Sequence, residues 1–189
     1  MEEAPNVNYT NTQSRNVLIE YRYPMPTIAL LNGHAFAGGL MTAMYHDYRV
    51  QNPSRGFLCL NELEFGVSLR APMSSIFRQK TSPQTYRSLV LEAKRFGGAE
   101  ALEGGLVDAL GGLEEALTLV TKRKLTSMPK TGIYGLMKME MFRETLVYLG
   151  GHDADDKLNI ERLSSEDTRT EEGRKRVAQW EKNYPKAKL

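Results

Sequence analysis

Apolar residues take two textures along this chain: short unbroken runs in the first half, and helical spacing in the second. The run at 27–31, Thr-Ile-Ala-Leu-Leu, opens with a β-branched pair after Pro24 and Pro26 and stops at Asn32-Gly33. That predicts a buried strand. A helix is predicted over 39–46 behind the pair Gly38-Gly39, a second strand from 47–50, and a third at 57–60, approached through Asn52-Pro53-Ser54. Segments 73–79, 84–94, 99–103, 113–125, 132–149 and 171–182 have helical length or spacing and are separated by glycine pairs and Pro129. Strands early and helices late predict an α/β core over 24–127, then a helical region over 128–189, with a polar, Asn-rich leader at 1–23. No internal repeat is visible. The 19 residues from 27 to 45 carry no formal charge, but the glycines, Asn32 and His34 among them argue against a membrane span.

Composition narrows the function classes. At 189 residues one compact domain with a small appendage is expected, and 41% hydrophobic residues suffice for a real core. A net charge of +2 supplies no broad basic field for nucleic acid or an anionic membrane, so any anion site must be local. The single cysteine, Cys59, excludes an internal disulfide and a CxxC motif and fits a reducing compartment. The charge-rich stretch 153–182 reads as solvated helix faces and linkers. The N-terminus lacks the features of a secretory or mitochondrial leader, whereas Ala187-Lys188-Leu189 is a conservative variant of the Ser-Lys-Leu peroxisomal address. A peroxisomal location is therefore expected.

A strand running into Gly38-Gly39 and then a helix is a device for presenting backbone N–H groups. The first amides of a helix have no internal acceptor, the helix dipole adds positive character, and glycine lets a ligand oxygen come close. Nucleotide fingerprints of the GxGxxG and GKS/GKT kinds are absent, so an oxyanion is a better fit than a nucleotide phosphate.

The segment from Pro26 through Gly38-Gly39 to Val50 resembles the signature of the crotonase superfamily of enoyl-CoA hydratases and isomerases. The resemblance continues through Gly56-Phe57-Leu58-Cys59-Leu60-Asn61-Glu62-Leu63-Glu64-Phe65-Gly66 and Ala99-Glu100-Ala101-Leu102-Glu103-Gly104-Gly105-Leu106-Val107-Asp108. It implies a spiral of ββα turns, a C-terminal helical region that builds homotrimers or homohexamers, and an acyl-CoA thioester as ligand. Coenzyme A is then part of the substrate and no separate cofactor is needed. The resemblance puts Gly38 where the family supplies an oxyanion N–H, and Ala37, Gly39, Met41, Leu60, Phe65 and Leu69 along the substrate. Hydratases of the family carry one Glu on the helix behind the glycines and another four residues before a later glycine. Here the first position is Met41 and the second is Glu62, four before Gly66. Hydration commonly shares its proton transfers between two carboxyls, while moving a double bond needs one group to shuttle one proton. The expected activity is therefore isomerisation of a 3-enoyl-CoA to the trans-2-enoyl-CoA. Glu62 is its base, with its pKa raised by an apolar surround of Met41, Leu60 and Phe65. Hydration, or a catalytically weak subunit acting by association, are the alternatives.

Other residues read more plainly. Glu64 shares strand parity with Glu62 but falls outside the family spacing. His34 lacks companions for a metal and reads as structural or pocket-lining. Cys59 reads as a small core side chain, and Met41, Met44, Met137, Met139 and Met141 as adaptable core or acyl-pocket lining. Lys122-Arg123-Lys124 and Arg174-Lys175-Arg176 read as solvated faces. The resemblance also implies an earlier F-x-x-G-x-D segment supplying a second oxyanion N–H, and residues 1–22 contain none. On that footing the core reads as N-terminally truncated. One missing donor would raise the barrier by ~3 kcal/mol, or more than about a hundredfold in rate.

Overall fold

The computed structural model describes residues 23–150 and 152–183. The polar leader at 1–22 and the tripeptide Ala187-Lys188-Leu189 lie outside the described residues.

Two small parallel sheets are built by alternating turns of chain. The expected first strand is β1 (Ile28–Leu31), and a corner at Asn32-Gly33-His34 leads to β2 (Ala35–Phe36) and helix α1 (Gly38–Tyr45). The next turn repeats the course with β3 (Tyr48–Gln51), a corner, and β4 (Leu58–Cys59). β3 pairs in parallel with β1, with Ile28 opposite Tyr48, while β4 pairs in parallel with β2, with Ala35 opposite Leu58. A third strand, β5 (Ala109–Leu110), joins the first sheet beside β3. The first two turns thus give one strand to each sheet, which is the ββα spiral. The repeat lies in the backbone course and has no counterpart in the residue sequence, and two-residue β5 was too short to give a pattern.

Successive corners touch through their backbones. Gly56 sits at φ +82°, and a Cβ there would come within 2.1 Å of the Gly33 carbonyl carbon. Both the left-handed conformation and the close approach demand glycine. Gly56→Ala is expected to destabilise the fold by about 1–3 kcal/mol or more, read as a lower urea midpoint at unchanged slope.

Helices cover the sheets. A 3₁₀ turn (Glu62–Phe65) leads to α2 (Ala71–Lys80), then α3 (Pro83–Leu91), whose N-cap Ser82 accepts from the Thr85 amide at 3.1 Å. α4 (Gly98–Glu103), α5 (Leu113–Lys122), α6 (Tyr134–Met141) and α7 (Arg143–Gly150) follow. The helix expected over 113–125 stops early because Lys124 turns left-handed at φ 52° ahead of a 3₁₀ segment, Leu125–Thr131. The single helix expected over 132–149 breaks at Phe142, whose backbone leaves helical geometry while its ring is only 1% exposed. Core burial of that ring overrides helical continuity. Leu40, Met44, Leu58, Ile76, Phe77 and Phe142 are the heart of the apolar core.

Contacts divide the chain after Gly150. The first unit includes α6 and α7, and the second contains α8 (His152–Asn183), a 32-residue helix where a shorter one at 171–182 and linkers were expected. No proline interrupts 152–183, and Lys175 pairs with Glu171 one turn away at 3.7 Å across Gly173, so the helix runs on through that glycine. Among the described residues, no helix is long and apolar enough to cross a membrane.

Candidate active site

The two residues singled out for chemistry follow the same ends of paired strands. Phe36, the last residue of β2, is opposite Cys59, the last of β4, and the Ala37 amide extends the ladder to the Cys59 carbonyl at 2.9 Å. Because the strands are parallel, the chain leaves both at the same edge of the sheet: one exit leads to Gly38 and the other, past Leu60 and Asn61, to Glu62. Open parallel α/β sheets commonly gather their sites at such carboxyl ends.

Ala37 makes the first exit a sharp one. As the N-cap of α1 it adopts φ 48°, ψ −121°, a sparsely populated conformation for a residue with a Cβ. Its own amide is committed to Cys59, while Gly38 begins the helix without an i−4 partner inside it. Among the described residues no backbone carbonyl accepts from the Gly38 amide. The first turn holds no acidic side chain that would compete for the helix end. Gly39 is exposed, and a Cβ built on it would meet nothing within 4 Å. A ligand oxygen has room beside Gly39.

The second exit tightens into the 3₁₀ turn that begins at Glu62. The Glu62 carbonyl accepts from the Gly66 amide, in left-handed conformation at φ 68°, and from the Val67 amide at 2.9 Å. The family spacing of Glu and Gly is therefore one closed turn. The Glu62 side chain is part-buried, and its Oε2 is fully buried without a hydrogen-bond partner. Desolvation pushes its carboxyl above the usual carboxylate range, opposed in smaller measure by a hydrogen bond from its own backbone. Asn61 Oδ1, next in the chain, is likewise buried without a partner. Unsatisfied buried acceptors are uncommon and call for an explanation, a bound partner among them. Glu64 differs in kind: both its oxygens take hydrogen bonds from Arg95, at 3.0 and 2.9 Å.

The remaining expected residues divide by burial. Met41 and Leu60 are buried within the main core cluster, and Leu69 packs against it. Phe65 is 73% exposed. Within this chain it gives Glu62 none of the apolar shielding expected of it, because the tight turn swings it outward. His34 is structural: its Nδ1 accepts from the Phe57 amide at 3.2 Å, and its ring meets Phe36 edge-on at 5.2 Å. Cys59 is fully buried, donates to the Ala93 carbonyl at 3.2 Å, and has its thiol pushed up by burial. Met44 is core, but Met137 and Met141 are each 63% exposed and contribute nothing to the core of this chain. Arg123 reaches Asp108 at 3.7 Å and lies over the Tyr48 ring. The described residues hold no group of three potential ligands that could bind a metal ion.

One feature near α1 had no readable signature. Three cations, the buried Arg49 and Lys138 and the half-buried Lys80, surround its C-terminal end. Arg49 donates to the His46 carbonyl at 3.0 Å and to Asp108 at 3.2 Å, while Lys138 pairs with Asp47 at 3.0 Å. They come from three separate elements, so only the folded chain assembles them.

The sequence model for the enoyl-CoA hydratase/isomerase family matches residues 2–186, and the chain belongs to that family. A relative from Arabidopsis thaliana, "Enoyl-CoA delta isomerase 2, peroxisomal", is 35% identical over 133 residues, which are 67% of this chain and 55% of that protein. An enoyl-CoA hydratase from Alternaria alternata is 32% identical over 105 residues, covering 56% of this chain and 35% of its own. The crystal structure of an enoyl-CoA hydratase from Mycobacterium ulcerans Agy99 superposes with a TM-score of 0.64 at 21% identity, covering 77% of this chain and 67% of that one. That likeness establishes the crotonase fold. The chain spans about half the length of the Arabidopsis relative.

Proposed function

We propose that this chain moves the double bond of a 3-enoyl-CoA thioester to give the trans-2-enoyl-CoA. The observation that carries the reading is the Glu62 carboxylate, with a buried and unpartnered Oε2, at the same sheet edge as the Gly38 amide, from which no backbone carbonyl among the described residues accepts. As a carboxylate, Glu62 takes a proton from C2, and the electron pair of that C–H bond shifts toward the thioester carbonyl. The oxygen of the resulting dienolate takes up negative charge against the Gly38 N–H. Collapse of the dienolate then draws the proton from the Glu62 carboxyl to C4, leaving the double bond at C2–C3. The raised pKa of Glu62 suits a group that must first accept and then return a proton. Glu64, already engaged by Arg95, is a poorer base.

The printed names of relatives support both the chemistry and a setting. Isomerases from Arabidopsis favour isomerisation, and two of them are named peroxisomal, so a peroxisomal role in acyl-CoA metabolism belongs to the same proposal. Assembly into homotrimers or homohexamers completes it. Hydration is the second reading, prompted by the Alternaria hydratases. Against it stands Met41, only 4% exposed, where hydratases of the family place a second carboxyl. The test follows 3-enoyl-CoA conversion and 2-enoyl-CoA hydration on the same purified protein. Isomerisation exceeding hydration supports the reading. The reverse order, or silence in both assays from a folded protein, overturns it.

A further inference from the structure

The helix that offers the Gly38 amide is held at its other end by a half-buried ammonium. Lys80, the last residue of α2, sends its Nζ to the carbonyls of Met44 and His46, each at 2.5 Å. The same Nζ lies 4.9 Å from the centre of the Phe142 ring, which is itself buried. Met44 belongs to the final turn of α1 and His46 is its C-cap. These are the carbonyls that a helix end leaves without internal donors, and a cation there also complements the helix dipole. Charge-assisted hydrogen bonds are roughly twice as strong as neutral ones.

We propose that Lys80 is a positioning residue for the oxyanion amide: by gripping the C-terminal end of α1 it sets where the Gly38 N–H points. The helix has eight residues, so the two ends are about 12 Å apart, and so short a rod carries a shift at one end to the other. At the Gly38 end the chain is tied to the sheet by the Ala37 amide on the Cys59 carbonyl. At the far end Arg49 also donates to His46, but Met44 receives only from Lys80 among the side-chain donors described. Without the ammonium, the buried Met44 carbonyl loses that donor and the end of α1 is free to shift. Displacement of reacting groups by about 1 Å can cost about a hundredfold in rate.

Lys80 can also report on its own role. Burial, and then the neighbouring Arg49 charge, bring its pKa down to about 7, so it titrates in an accessible range. The charged groups around it are Arg49, Asp47, Asp108 and Lys138. His46, whose carbonyl it binds, and Tyr45, which burial pushes up to about 12 and so keeps neutral throughout this range, are the other titratable side chains at this helix end.

The inference rests on the oxyanion role proposed for Gly38, and the experiment separates the two. In the first arm, kcat and KM for 3-enoyl-CoA are compared in wild type and Lys80→Met. The expected result is a fall in kcat of about tenfold to a hundredfold, with KM changed by less than about twofold, since the substrate-facing residues remain. In the second arm the Gly38 amide is followed by ¹⁵N NMR from pH 6 to 9 in Glu62→Gln, a background in which Glu62 cannot titrate. A chemical-shift step with its midpoint near that of Lys80 is expected. It should vanish when Lys80→Arg is added, since arginine keeps its charge throughout this range. A flat Gly38 signal with Lys80 present, the same step in the arginine variant, or unchanged kcat in folded Lys80→Met would overturn the proposal. If Lys80→Met does not fold, the arginine titration decides. A wild-type protein without isomerase activity would sink the oxyanion role, while the amide readout needs no turnover.

Discussion

Glu62→Gln is expected to lower kcat for 3-enoyl-CoA isomerisation by about a hundredfold to ten-thousandfold while leaving the protein folded and at least as stable as wild type near neutral pH. The amide keeps the size and one acceptor of the carboxyl but cannot take a proton from carbon. Stability should not suffer, and the sign follows from the raised pKa. An acid whose pKa is raised on folding binds more protons in the native state than in the unfolded one between its ordinary value of 4.5 and its native value. Whatever stability this gives is present at low pH and is lost as pH climbs through that window. Near neutral pH the native state therefore carries a disfavoured charge, which glutamine removes. The same shift predicts the acid limb of the wild-type kcat–pH profile: activity rises with pH as Glu62 deprotonates, with an inflection above 4.5. An inflection at or below that value, or a Glu62→Gln variant with wild-type kcat, would show that another group is the base.

The sequence made some of this legible because the signals were local. The run 27–31 and the glycine pair behind it specify a strand and a helix start with little help from elsewhere, and β1 and α1 appear within a residue of their expected bounds. Cys59 in an apolar run could hardly be other than core. What escaped was set by distant partners. The two-residue β5 exists because β3 offers it an edge, and Phe142 breaks a helix because the core takes its ring. The left-handed turn at Lys124 carries no glycine to announce it, and α8 runs on through Gly173 with no proline to end it. At the candidate site, spacing pointed to Glu62, but only the folded chain distinguishes an unpartnered carboxyl from Glu64, two residues on and bound by Arg95. The expected surround was half legible for the same reason. Leu60, just past β4, and Met41, on α1, are buried in the core, whereas the outward swing of Phe65 depends on the geometry of a 3₁₀ turn that side-chain type does not reveal.

Gly38→Pro addresses the amide directly, and its effect should be nearly as large. Proline removes one N–H and nothing else that the reaction is proposed to use. The position is the first residue of α1, where proline is well tolerated because the missing donor has no helical acceptor. The preceding residue does object: at ψ −121° the Ala37 Cβ lies where the proline Cδ would sit, so the variant is made in an Ala37→Gly background, with Ala37→Gly alone as its reference. A fold retained by circular dichroism with kcat lowered by about a hundredfold to a thousandfold is the expected result, the usual cost of one oxyanion donor. Combining it with Glu62→Gln adds a sharper demand. If base and amide serve one transition state, removing the second after the first should cost far less than it does alone, because the proton transfer it assisted no longer limits what remains. Fully multiplicative losses would mean that the two groups act independently. A folded Gly38→Pro variant with unchanged kcat would place the developing charge somewhere other than the end of this helix.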